Sequence, residues 1–403
     1  MGLTVSERKA VTKEQARRYQ GANRARKSEI LDQIEELTGW HRDHARAALR
    51  HCLEPPRPRV ARQGRKPTYP ADLQPSLILC WSVLRGPAGK LLAAATWYLV
   101  PMLRAERVLD VDDEQARLLM AMSAATIDRR LAHEREKMRL HGRSRTKPGS
   151  LLKSQIPIRT WAEWDDAVPG FVEIDLVSHE GSSPAGEFCF TLTVTDIATG
   201  WTVNRSVRNK AQKWVFEALM HIKAVFPFPI IGIDSDNGSE FINHELYNYC
   251  LEHEITFTRS RPLHKNDGAH VEQKNWSRVR ELVGYERFDT PRELELLNQI
   301  WELDRVFTNY LLPQQKLVSK TRHGAKVTKK HDKPATAYQR ATEYPGMRKR
   351  PIITMNAQFK KIRVMSLSRK IFALTSELDT IARHKNKKSS AVPATEMATK
   401  ARS

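Results

Sequence analysis

Apolar positions recur at two spacings along this chain, and the changes between them divide it. Over the first 140 residues the spacing is helical. Ile30, Ile34 and Leu37 share a face, Ser28 is placed to cap their helix, and Thr38-Gly39 ends it. A second helix follows from about His41, with Ala45, Ala48 and Leu49 inward and Arg42, Arg46 and Arg50 outward. Helix, glycine turn, helix is the outline of a helix-turn-helix, predicted over residues 1–53. Its second helix would lie in the major groove of DNA. Residues 54–68, rich in Pro and Arg, read as an extended basic linker. Residues 69–140 read as a second helical DNA-binding region: two apolar helices flank Arg85-Gly86-Pro87, and Ser123 caps a helix that buries Ile127 and Leu131 and exposes Arg129 and Arg130. Residues 141–160 form another basic linker.

A two-residue period takes over in residues 161–290. Strands are predicted at 171–177, 187–195 and 201–207, joined by glycine turns as an antiparallel meander. In the second, Phe188, Phe190, Leu192 and Val194 share one face and Thr191, Thr193 and Thr195 the other. A helix at 211–225 follows, then a strand ending at Asp236, a helix near 243–253, a strand at 255–258 and a helix carrying Glu272. Residues 291–355 read as a helix and a small basic β unit, 356–384 as an amphipathic helix and 385–403 as a disordered tail.

Charge sharpens this division. The net charge is +21 and the isoelectric point about 9.9, which points to a polyanionic partner. Residues 1–160 hold 31 Lys/Arg against 17 Asp/Glu, residues 161–290 hold 12 against 20, and residues 291–403 hold 24 against 9. Two basic arms thus flank an acidic centre, which facing DNA would need cations. Four scattered cysteines without a Cys-x-x-Cys pair argue against structural zinc and for reduced thiols. The N-terminus lacks the apolar segment of a signal peptide, and the apolar stretch 91–103, broken by Pro101, suits a core helix. A cytoplasmic, nucleoid-associated protein is expected.

The acidic centre carries the candidate chemistry. Asp175 sits within a strand, Asp236 ends an apolar run before the turn signal Asn237-Gly238, and Glu272 opens a helical pattern with Val271, Val279, Leu282 and Val283. Between Asp236 and Glu272 lie 35 residues. Converging carboxylates are costly without partners, and divalent cations are the usual ones. Asp234 is a rival to Asp236; Asn237 and Glu240 read as turn-formers or supporting groups, and Glu173 as a strand-edge charge.

Over residues 171–285 these features resemble the DDE transposase and retroviral-integrase catalytic core. Arg259-Ser-Arg-Pro before Lys265-Asn-Asp, and Val271-Glu-Gln-Lys-Asn-Trp after it, are similar to bacterial insertion-sequence transposases. The resemblance implies a multi-domain, mixed fold class: an α-helical helix-turn-helix N-terminal region, an α/β ribonuclease-H-like core, and a small C-terminal β unit and helix. It implies Asp175, Asp236 and Glu272 as catalytic metal ligands for two Mg²⁺ (or Mn²⁺), with DNA ends and target DNA as substrates of a homo-multimer. Where retroviral integrases carry lysines after the Glu, this chain has Trp276 and Val279. Lys274 and Arg278 lie on another face, so Asn275 and Trp276 become the candidates for DNA contact near the cut. A nuclease of the same fold, and a helix-turn-helix regulator with an inert core, are the competing readings.

Overall fold

The computed structural model describes residues 3–54, 68–137, 168–235, 240–241, 243–259, 275–323 and 326–390. The chain divides into two compact units, Met1–Thr68 and Tyr69–Ser403.

The first unit holds three helices, α1 (Val5–Gly21), α2 (Arg24–Thr38) and α3 (Arg42–His51). Thr4 and Glu7 form a capping box at α1. Asn23, not Ser28, caps α2: its side chain accepts from the Arg26 N–H, which leaves Ser28 inside the helix as an acceptor for Arg42. Gly39 ends α2 at φ 69°, a left-handed conformation glycine adopts without strain. Ala16, Ile30, Leu31, Ile34, Ala45 and Leu49 form the core.

The second unit opens with five helices, α4 (Leu73–Val83), α5 (Gly89–Ala105), α6 (Asp113–Ala121), α7 (Ala124–Arg130) and α8 (Ala132–Lys137). Ser123 caps α7, and Ile127 and Leu131 are buried. These helices share one continuous apolar cluster with the sheet that follows. Their buried polar links confirm the junction: Tyr98 Oη donates to the Leu311 carbonyl at 2.9 Å, and Arg85 meets Asp304 at 2.6 Å.

The sheet has the order β3-β2-β1-β4-β5, with β1 (Phe171–Ser178), β2 (Phe190–Asp196), β3 (Thr202–Val207), β4 (Gly232–Ser235) and β5 (Thr256–Arg259). β1–β2 and β2–β3 are antiparallel; β1–β4 and β4–β5 are parallel. α9 (Gln212–Val225) buries Val215, Ala218, Leu219 and Ile222 in the cluster that holds Val172, Ile174, Leu192, Val194 and Ile233. α10 (His244–Glu252), capped by Asn243, separates β4 from β5. A π-helical turn, Asn275–Arg280, runs into α11 (Glu281–Val283).

The threonine face of β2 is buried as fully as the apolar one. α12 (Pro291–Leu311) lies along β3, and a polar chain fills the interface: Trp301 Nε1 donates to Ser206 Oγ, Ser206 Oγ pairs with Thr191 Oγ1, and Thr191 Oγ1 with His179 Nε2, each at 2.7 Å. α12 also serves the outer edge of β3. Asn298 bonds both the N–H and the carbonyl of Ser206, and Asn309 both those of Thr202. Two amide side chains thus stand where another strand would pair, which blunts an exposed edge. Asn309→Leu would strand two buried backbone groups at about 1–3 kcal/mol each. A lower urea midpoint with an unchanged m-value is expected; an unchanged midpoint would contradict this role.

His179 is fully buried, and burial, then the nearby Arg280 charge, push its pKa down to about 3. The folded state keeps it neutral while the unfolded chain takes up a proton below about pH 6.5. Its contribution is therefore present above pH 6.5 and is lost toward pH 3, at about 1.4 kcal/mol per unit. His179→Asn should flatten the pH dependence of the urea midpoint between pH 6.5 and 4; parallel curves would refute it.

Beyond α12 come a two-stranded hairpin, β6 (Leu317–His323) and β7 (Lys326–His331), and the helices α13 (Ala337–Glu343), α14 (Lys349–Lys361) and α15 (Val364–Ser390). The amphipathic helix expected at 356–384 is thus two helices. The break is fixed from afar, since the Glu106 carboxylate accepts from the N–H groups of Val364 and Met365. Lys385 on α15 closes the unit, donating to Glu293 in the α12 capping box at 2.8 Å and to Asp289 at 2.7 Å. Among the described residues no helix is long and apolar enough to cross a membrane.

Candidate active site

β1 is the central strand, and Asp175 lies near its middle, half-buried. Its Oδ2 accepts from Asn275 Nδ2 at 2.5 Å, and its Oδ1 from the Leu176 N–H at 2.7 Å. Thr193 lies directly opposite on β2 and so shares its face. Thr193 Oγ1 and Asn275 Oδ1 are both buried with no hydrogen-bond partner among the described residues. A carboxylate, a hydroxyl and an amide oxygen are the donor types of a hard cation such as Mg²⁺. Among the described residues no group of three or more His, Cys, Asp or Glu side chains is placed to hold a metal. Asp236, Asn237 and Glu272 lie outside the described residues, as does the Trp276 side chain.

The flanking register is informative. Ile174 pairs with Ser235, so Asp175 and Asp236 each follow one member of the last β1–β4 pair. One pair earlier, Glu173 faces Asp234, and both are 1% exposed. The strand-edge reading of Glu173 is therefore corrected: β1 is interior, and alternation alone cannot tell a solvated face from one covered by a helix. Asp234 accepts from Thr258 Oγ1 at 2.6 Å. Glu240 forms part of a turn, its carbonyl accepting from Asn243 Nδ2.

The π-helical turn presents Asn275 to Asp175, and π-helical turns are frequent at functional sites. Its position is fixed by arginines with no local signature in the sequence. Arg280 donates to the Ser178 carbonyl at the end of β1. Arg287, just beyond, clamps the β1–β2 loop through the carbonyls of Ser183, Ala185 and Glu187 at 2.8–2.9 Å. Val279 is buried, and burial pushes the Arg278 guanidinium down from its ordinary range, opposed by Asp304.

The predicted DNA-contacting arginines fall into two groups. Arg42 is spent internally on Asp32, Glu35 and Ser28, and Arg130 on the carbonyls of Tyr69 and Pro70. Arg50 and Arg129 are exposed, and Arg46 is half-exposed beside Asp43. In the β6–β7 hairpin the backbone register pairs Lys320 with Lys329 and His323 with Lys326, and Lys329 and Lys330 are exposed.

Residues 165–265 match the integrase core domain family. The uncharacterized protein y4rM of Sinorhizobium fredii is 38% identical over 318 residues, 79% of this chain and 90% of that protein. Among solved structures, the catalytic core domain of HTLV-2 integrase in complex with magnesium is 14% identical, covers 37% of this chain and 93% of its own, and has a TM-score of 0.29. The catalytic core domain of BIV integrase is 15% identical, covers 42% and 91%, and has a TM-score of 0.27.

Proposed function

The chain belongs to the family of y4rM from Sinorhizobium fredii, and on that premise, with an integrase core domain in hand, we propose that it is a DDE transposase of the insertion-sequence kind. It binds element ends, cuts a DNA strand there and joins it to target DNA. The observation that supports this best is the setting of Asp175: central strand, half-buried, one residue past the pair that precedes Asp236, beside two buried oxygens with no partner among the described residues.

In the first step a water oxygen bonds to phosphorus at the element end, and the 3′ oxygen leaves as a free 3′-hydroxyl. In the second, that hydroxyl attacks a target phosphodiester, and the target's own 3′ oxygen departs. Asp175, Asp236 and Glu272 are the residues that would hold the divalent ions. Bound Mg²⁺ or Mn²⁺ would activate the attacking oxygen and neutralise the leaving one. Asn275 holds the Asp175 carboxylate in one orientation, so that it need not reorganise as DNA arrives.

Arg46, Arg50 and Arg129 with the basic hairpin are assigned to DNA phosphates, and Trp276 to a base near the cut. Arg42 and Arg130 support the fold of those arms. The active form is a homo-multimer, because one site serves one strand and an element has two ends.

Element-end duplexes incubated with the protein and Mg²⁺ test this reading. Free 3′-hydroxyl ends and joined products are expected, both lost on chelation, in a complex of more than one chain by light scattering. Asn275→Leu should slow joining about 10- to 100-fold. End binding without cleavage in any divalent ion would overturn the reading in favour of a regulator.

A further inference from the structure

Residues 161–204 contain no lysine or arginine, and then four fall within nine positions: Arg205, Arg208, Lys210 and Lys213. No acid lies between Asp196 and Glu217. In a core with 12 basic against 20 acidic side chains, this is a local reversal of sign. Arg208, Lys210 and Lys213 are exposed, where β3 turns into α9. The half-buried ring of Trp214 collects two of them: the Arg208 guanidinium lies 5.5 Å from its centroid and the Lys213 ammonium 5.0 Å. A ring face attracts a cation without cancelling its charge. Trp214 packs on the main apolar cluster, so the platform is fixed. Among the described residues only Glu187 pairs with this group, at 3.5 Å from Arg208, and both those side chains are more than half exposed. Such a pair contributes little. Like charges gathered on one ring favour a polyanion.

The register places this patch at the end of the sheet where β1 and β3 both finish. Ser178 pairs with Phe190 and Phe190 with Val207, so Arg208 lies one residue beyond the row that ends β1. Asp175 stands three residues before that row. Two strand spacings across and four residues along put Arg208 roughly 16 Å from Asp175. That is about five base-pair steps of a duplex. Lysine and arginine contacts to phosphates carry no sequence information. Asn209, an amide able to read a base, is occupied: it donates to Glu187 and accepts from the Ala211 N–H. The patch therefore suits DNA held without regard to sequence, which is target DNA and not an element end. We propose that Arg208, Lys210 and Lys213, gathered around Trp214, hold the phosphates of target DNA where it leaves the Asp175 site. This path for the second substrate rests on the strand-transfer reading above.

Full-length R208Q/K210Q/K213Q, beside the charge-keeping R208K/K210R/K213R, tests this. All three side chains are exposed and Trp214 is kept, so the fold is left alone. The first measurement is binding of a duplex without element ends, titrated with salt. The slope of log K against log salt should be shallower by about 2–3 in the glutamine set and that of the wild type in the charge-keeping set. The second compares two reactions in the glutamine set: joining of precut ends to target should fall about tenfold further than cleavage of uncut ends, and should recover at low salt. An unchanged slope would overturn the proposal even in a protein that joins DNA. Cleavage and joining that fall alike would also overturn it, by placing element ends on the patch. A wild type that joins nothing would instead sink the strand-transfer reading, and the slope would still decide whether these side chains hold DNA.

Discussion

Deleting residues 1–68 is expected to abolish protection of element ends while leaving the melting temperature of the remainder nearly unchanged. Deleting residues 1–140 is expected to leave no folded protein. The boundary between the compact units falls at Thr68, so the first cut removes α1–α3 with their own core. The second removes Leu77, Leu92, Leu99 and Leu103, all fully buried in the cluster that contains Phe307 and Leu311. Each such leucine contributes about 1.5–3 kcal/mol by burial, and whole domains are stable by only about 5–15 kcal/mol. The cut also leaves Asp304 without Arg85 and the start of α15 without its Glu106 cap. Footprinting and thermal melting of both truncations check this. End protection by the shorter deletion, or a cooperative melt in the longer one, would contradict it.

Asp175→Asn, Asp236→Asn and Glu272→Gln are each expected to bring strand cleavage and joining to background while end binding persists. These exchanges keep shape and remove charge. In metal-free buffer, neutralising one of several converging carboxylates relieves repulsion, so melting temperatures should stay level or rise. With Mg²⁺ the order should invert. A ligand at a hundred times its Kd stabilises by about 2.7 kcal/mol, and a site lacking one carboxylate gains less.

The alternating pattern and glycine turns located all five strands within a few residues, and the helices between them. What escaped reading was fixed by partners far away in the chain. Glu173 and the threonines of β2 look solvated because polar residues on alternate positions usually are; all are buried, and α12 reaches that face through Trp301, whose indole donates to the Ser206 hydroxyl paired with Thr191. The start of α15 has no local cap, since Glu106 supplies it. Arg280 and Arg287, which set the place of Asn275, act on carbonyls about a hundred residues away and leave no pattern nearby. Asp175 stood out as a carboxylate inside an apolar strand; Asn275, singled out beside Glu272 for DNA contact, donates to the Asp175 carboxylate, which spacing alone did not suggest.

Joining activity and Mg²⁺-dependent melting, measured together on Asp175→Asn, Asp236→Asn, Glu272→Gln and Asp234→Asn, decide whether the three carboxylates hold the metal. Asp234 already accepts from Thr258 and pairs with Glu173, two residues before Asp175, so Asp234→Asn should retain much of the activity and the Mg²⁺ shift. The other three should lose both. An active Asp236→Asn beside a dead Asp234→Asn would place the metal on Asp234 and contradict this assignment. Full joining by Asp175→Asn or Glu272→Gln would remove the strand-transfer reading altogether.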